Sequence, residues 1–195
     1  MLQKIFSTTI FLSIFIYLQG CSTTATLATT GGGAAVTSAD QRSMGSILDD
    51  NWSIEHAAGY VINEDPELAD KTHINITSYN GIVLISGEAP TDKLKIDVER
   101  VIKSMPKVRR IHNMVTVAAP SSFLTRTSDT MLTTRIKASM LGEENFPASK
   151  IKVVTENGST YLMGLVTRAE GASAVTITQG ISGVQKIVKL FEYTD

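Results

Sequence analysis

The chain has 195 residues, 43% hydrophobic and 19% charged, with 18 Lys+Arg against 19 Asp+Glu and one cysteine. That apolar content is enough for a packed core, so a wholly disordered chain is excluded, and the length allows one ordinary domain or two small ones. A net charge of −1 and 6% aromatics exclude a generally basic or base-stacking nucleic-acid binder, and one thiol excludes a disulfide framework or a Cys-rich metal site.

Residues 1–20 have the pattern of an export signal. Lys4 supplies a positive start, and Ile5 to Leu18 is apolar apart from Ser and Thr, shorter than the roughly 20 residues a membrane span needs. The run ends in Leu18-Gln19-Gly20-Cys21. This resembles a bacterial lipobox, in which the thiol is diacylated, the chain is cut before the cysteine and the new amine is acylated, so Cys21 is the candidate lipidation residue. In the lipoprotein pattern, Ser22 rather than Asp implies passage to the outer membrane of a Gram-negative cell. Residues 21–46 then form the acylated Cys and a flexible Thr/Ser/Ala/Gly tether with a reach of roughly 28 Å. Its Gly31-Gly32-Gly33 has no strand before it and no Lys-Ser/Thr after it, so it is not a phosphate-binding loop.

The remainder is written twice. Ile74 to Gly87 aligns with Ile151 to Gly164 at a constant offset, and in each copy two β-rich runs flank Asn-Gly, the signal for a type I′ hairpin. Gly87 and Gly164 are expected to close the hairpins and let the chain turn away. Upstream helices are expected from Ile54, Ala58, Val61 and Ile62, and from Leu132, Ile136 and Met140 entered through Ser128-Asp129. Downstream, Leu94, Val98, Val101, Ile102 and Met105 form one helical stripe with Thr91 as N-cap, and Ala174, Thr178 and Ile181 a weaker one. Final strands over Val108–Val117 and Val184–Tyr193 return through a helix, so each should lie parallel to a neighbour.

The fold class is therefore α+β: two tandem α-β-β-α-β two-layer sandwiches after a signal peptide and tether. The expected boundaries are 47–118 and 128–195, joined by a linker over 119–127 short enough for the two to touch. The paired units, with Asn-Gly, Thr155-Glu156-Asn157-Gly158 and Leu162-Met163-Gly164-Leu165-Val166-Thr167, resemble the BON-domain family, and the chain as a whole its dual-BON outer-membrane lipoproteins. That resemblance implies no catalysis and no cofactor. It implies binding of anionic phospholipid (cardiolipin or phosphatidylglycerol) by the second unit, enrichment at the division site and a part in envelope integrity; some relatives are labelled small haemolysins.

The residues themselves point away from an enzyme. His56, His73 and His112 show no metal-ligand spacing, no Gly-x-Ser-x-Gly elbow is present, and Asp49-Asp50 and Glu143-Glu144 fall at element boundaries, as caps or solvated turns do. The expected lipid face lies on the first helix of the second unit. Leu132, Ile136 and Met140 occupy the core arc, while Met131, Thr134, Ala138 and Leu141 occupy another, with Arg135 and Lys137 beside it. An apolar stripe flanked by cations suits shallow insertion among anionic headgroups. Packing of Met131 and Leu141 on the first unit or on Phe123-Leu124 is the alternative. The matching arc of the first unit reads Ser53, His56, Tyr60 and Asn63, with no cation. Asp49–Ala118 carries 8 basic and 11 acidic residues, against 8 and 7 over 119–195, so the second unit is the expected membrane-facing one. His56 and Tyr60 are the candidate contacts for a second reading, an adaptor for outer-membrane assembly proteins; a membrane-damaging factor is a third.

Overall fold

The computed structural model describes residues 42–195, so the expected signal peptide, Cys21 and the tether up to residue 41 lie outside the described residues. The first domain opens with a helical run in three pieces: α1 (Met44–Leu48), a π-helical stretch (Asp49–His56) and α2 (Ala57–Glu64). Then follow α3 (Pro66–Ala69), β1 (His73–Tyr79), β2 (Ile82–Ala89), α4 (Asp92–Lys103), β3 (Arg110–Asn113) and β4 (Thr116–Val117). The second domain comprises α5 (Phe123–Gly142), a 3-10 turn at Ala148–Lys150, β5 (Ile151–Glu156), β6 (Ser159–Val166), α6 (Arg168–Gln179) and β7 (Lys186–Tyr193). Each domain is thus α-β-β-α-β, with its hairpin antiparallel and its final strand parallel to the central strand, β2 or β6.

Both hairpins turn through positive φ at Asn80-Gly81 (53° and 72°) and Asn157-Gly158 (47° and 70°), the pair of conformations that a type I′ turn demands. The amides of each turn are capped by a buried aspartate on the preceding helical run. Asp50 accepts from Asn80 N (2.5 Å), Gly81 N (2.7 Å) and the Ser78 hydroxyl (2.7 Å), with Arg42 completing its shell. Asp129 accepts from Asn157 N (2.9 Å) and Gly158 N (3.0 Å). The expectation of a cap or solvated turn at Asp50, and of a helix entry at Ser128-Asp129, is corrected here, since both carboxylates tie helix to hairpin in the interior.

The π-helical stretch has a sequence cause. Asp129 precedes the core residue Leu132 by three positions, whereas Asp50 precedes the core residue Ile54 by four. Both ends are fixed, one by the turn and one by the core, so the extra residue is absorbed by widening the turns from i→i+4 to i→i+5 bonding.

Gly87 and Gly164 lie inside β2 and β6 rather than closing them. A Cβ at Gly87 would overlap the carbonyl of His73, and one at Gly164 would crowd that of Lys150, so close approach by the start of the hairpin requires both glycines. The last strand of the first domain, expected as one piece, breaks at Met114-Val115. There Asn113 takes the Val115 amide on its own side chain and donates to Glu99 and the Lys95 carbonyl, replacing ladder bonds with local ones. The linker was expected to run to residue 127, yet Phe123 to Thr127 are helical. Ser122 caps the Thr125 amide, and Thr127, Thr130 and Thr134 bond carbonyls four residues back. Val61, expected in the core stripe, is 43% exposed.

Alternation along the strands builds three cores. Val83 and Ile85 of β2 face Ile54, Ala58, Leu94, Val98 and Ile102; Leu162 of β6 faces Leu132, Ile136, Met140 and Ala174. The opposite faces meet each other: Tyr79, Ile82 and Leu84 pack on Tyr161, Met163 and Leu190. The order of layers is therefore helices, sheet, sheet, helices. Burying each of these side chains is worth about 1.5–3 kcal/mol, so the sheet–sheet core holds the domains together. Its rim is polar and reciprocal. Asn75 donates to Glu156, Asn157 Nδ2 to Glu88 (2.6 Å), Lys152 pairs with Glu55 (2.6 Å), and Arg109 grips Glu192 (2.7 Å).

Asp129→Ala leaves two turn amides without their acceptor and is expected to destabilise the chain by about 2–4 kcal/mol in urea unfolding. Asp129→Asn, which keeps one acceptor oxygen, should lose less.

Candidate functional site

All six residues expected to meet lipid lie on the exposed side of α5: Met131, Thr134, Arg135, Lys137, Ala138 and Leu141. Leu132, Ile136 and Met140 turn inward with Asp129, so the two arcs separate as the periodicity predicts. Met131 is 61% and Leu141 75% exposed, which excludes the alternative that they pack on the first domain or on Phe123-Leu124.

The helix start at Phe123 lengthens this face by more than a turn. At about 100° per residue, Leu124, Met131 and Ala138 fall in one line, with Phe123, Thr134 and Leu141 to one side of it and Arg135 to the other. Phe123 and Leu124 are as exposed as Met131. Arg135 and Lys137 enter no ion pair with another described residue. The signal for the extension was present in Ser122 as an N-cap after Pro120, but five threonines over 125–134 weaken helix propensity and hid it.

On the first domain, His56 and Tyr60 are exposed as expected, and they do not stand alone. Met44, Leu48, Trp52, His56 and Tyr60 recur every four residues, and all five are exposed. A four-residue step overshoots one α-helical turn but undershoots one π-helical turn, so the drift in α1 and α2 is cancelled across Asp49–His56. The five side chains thereby form a straight row. The Trp52 and His56 rings touch at 4.9 Å between centroids, and the Tyr60 hydroxyl bonds to Glu64, which raises its pKa. Wheel geometry at a uniform 100° missed this row because it has no term for a widened turn.

Between the domains lies a cleft of about 500 Å³, walled by β1 on one side and by α5 and β5 on the other. His73, Asn75 and Thr77 come from the first domain; Arg126, Thr130, Thr133, Thr134, Lys137 and Glu156 come from the second. Burial pushes Glu156 up to about 7; Glu88 and Asp129 add to this, while the bond from Asn75 and the charge of Arg126 oppose it. Burial, then Arg126, lowers His73. Among the described residues no group of three His, Cys, Asp or Glu is placed to hold a metal, and no helix is long and apolar enough to cross a membrane.

The BON domain model matches residues 54–119 and 128–195. The chain is 34% identical over 188 residues, 95% of each chain, to the outer membrane lipoprotein DolP of Haemophilus influenzae. It is 30% identical over 154 residues, 79% of each, to a 21 kDa hemolysin of Actinobacillus pleuropneumoniae. It is 24% identical over 147 residues, 74% of this chain and 72% of the relative, to the osmotically-inducible protein Y of Escherichia coli.

Because Glu156 holds its proton more tightly when folded than its ordinary value of 4.5 allows, the stability it contributes is present at low pH and is lost as pH rises through about 7. Unfolding measured from pH 4 to 8 should show this loss, about 1–2 kcal/mol after solvent screening, and Glu156→Gln should flatten it.

Proposed function

The chain belongs to the BON-domain family, with two copies of the domain, and from that premise we propose a non-enzymatic, lipid-anchored protein on the periplasmic side of the outer membrane. It binds anionic phospholipid, phosphatidylglycerol or cardiolipin, through α5, and supports envelope integrity at the division site. Acylation of Cys21 supplies the anchor. Similarity along 95% of an outer membrane lipoprotein supports this placement.

The observation that carries the reading is the α5 face. Phe123, Leu124, Met131 and Leu141 stand in water on a helix of 20 residues, about 30 Å long, beside Arg135 and Lys137. Apolar side chains gain about 1.5–3 kcal/mol each on full burial, and each cation near an anionic surface gains roughly 1 kcal/mol. The helix lies in the headgroup plane and does not cross the bilayer. The modest cation count is offset by the anchor, which keeps the helix at a high local concentration beside the membrane.

Co-sedimentation of residues 22–195 with phosphatidylglycerol vesicles tests it. Met131→Glu/Leu141→Glu is expected to weaken binding by more than about tenfold. Equal binding by the double variant and the parent would remove α5 from the function.

The row from Met44 to Tyr60 favours a second activity on the first domain: contact with an envelope protein, such as an outer-membrane assembly factor. Exposed Trp and Tyr side chains on a rigid helical run are the residue types that dominate protein interfaces. Photo-crosslinking from position 56 or 60 in intact cells should yield protein adducts that Trp52→Ala diminishes, whereas lipid-only products would defeat the idea.

A further inference from the structure

Each sheet ends on the strand that returns through a helix, and an edge strand presents backbone N–H and C=O groups to any further strand unless something blunts it. The two domains finish that edge differently. In the first, β3 stops after four residues, the Asn113 side chain takes the Val115 amide, and Lys95 of α4 donates to the Val115 carbonyl at 2.7 Å. In the second, β7 runs unbroken for eight residues, paired with β6 along its whole length. Among the described residues no strand pairs with its other edge, which extends roughly 26 Å at about 3.3 Å per residue. Beside that edge a groove separates α6 from β7, as two hollows of about 440 and 380 Å³ that share Val175 and Lys189. Lys186 stands at the start of the strand, Lys189 at its middle and Arg168 at its end, the last 4.8 Å from the centre of the Tyr193 ring. Asp195 accepts from the Arg168 amide, but none of the three cations enters an ion pair with another described residue, and no carboxylate lines either hollow.

We propose that the open edge of β7 docks an extended acidic segment of a partner protein, which joins the second sheet as a fourth strand. This is an activity separate from the membrane contact of α5 and from the Trp52 row.

Main-chain pairing with β7 supplies affinity in this mode of recognition, and pockets for alternate side chains supply selection. The two hollows are such pockets, with Ile187 and Val175 offering apolar surface and Lys189 standing between them. Charge chooses the partner. Lysines on an edge oppose pairing with a second basic edge, which disfavours another copy of β7, whereas a strand bearing carboxylates meets charge of opposite sign. A phospholipid has no ladder of donors and acceptors at strand spacing to match the edge. The position also leaves the lipid face uncovered. Thr133 of α5 bonds to Thr155 of β5, while a Cβ on Gly171 of α6 would lie 3.2 Å from the Phe191 ring of β7. The two helices therefore cover opposite edges of the sheet β5-β6-β7, and a segment bound beyond β7 does not obstruct α5.

Amide NMR of the full chain in maltoside micelles, titrated with a synthetic peptide of alternating Val and Glu as long as β7, tests the site. Shifts are expected along Lys186 to Tyr193 and at Val175, with cross-strand contacts between peptide and β7 amides. Lys186→Glu/Lys189→Glu should weaken binding by about tenfold and let the chain hold an alternating Val-Lys peptide that the parent rejects. The Val-Glu peptide N-methylated at every residue keeps its charge but loses its ladder donors, and should bind about tenfold less tightly. Equal binding of the methylated peptide, equal binding by the charge-reversed chain, or shifts confined to residues outside β7 would each overturn the proposal. Protection of every β7 amide from hydrogen exchange in the chain alone would give the edge to a second copy or to the tether and overturn it too. So would β7 shifts with dihexanoyl phosphatidylglycerol and none with the peptide, which would give the groove to lipid.

Discussion

The packing of one sheet on the other is the constraint on which the rest of the molecule depends. Each three-layered alternative would leave Tyr79, Ile82 and Leu84, or Tyr161, Met163 and Leu190, in water. Once the two faces meet, the helices of both domains must lie outside. That single arrangement leaves α5 free along its apolar line, leaves the Trp52 row free on the other side, and brings β1 beside α5 to wall the cleft. It also explains why every residue of β2 is buried: helices cover one face and the second sheet the other.

Within each domain a second constraint is local. A type I′ turn aims two backbone amides in one direction, and a buried carboxylate from the helical run accepts both. The repetition of this contact in the two domains, despite one extra residue between Asp50 and Ile54, indicates which spacing is fixed and which yields. The turn and the core keep their places; the helix changes its hydrogen-bonding period. The pairs Asn75–Glu156 and Asn157–Glu88 repeat the same economy across the domain boundary, each amide meeting a carboxylate of the other domain.

Much of the fold was readable in the residues. Asn-Gly at Asn80 and Asn157 fixed the hairpins, Thr91 marks a real N-cap, and the inward arc of α5 follows from Leu132, Ile136 and Met140 alone. What escaped was non-local or depended on a change of period. Asp50 looks like a surface cap, and Asp129 like a helix entry, until the turn that each serves is brought beside it. Thr125 to Thr134 reads as a poor helix because the hydroxyl-to-carbonyl bonds that satisfy those side chains exist only once the helix has formed. The outward side of α5 was legible at Met131 and Leu141, but its extension to Phe123 and Leu124 was not. The cleft was invisible, since it joins β1 to α5 from sequence segments about 50 residues apart.

The layering sets a distance as well as an order. With sheets about 10 Å apart and each helix layer stacked about 10 Å beyond its own sheet, the axes of α5 and of the Met44–Glu64 run are separated by roughly 30 Å. A molecule standing on a leaflet by α5 would hold the indole of Trp52 at its far end, directed away from the lipid. Cargo captured there would ride at a set standoff height above the bilayer, and the protein would act as a rigid spacer between the two.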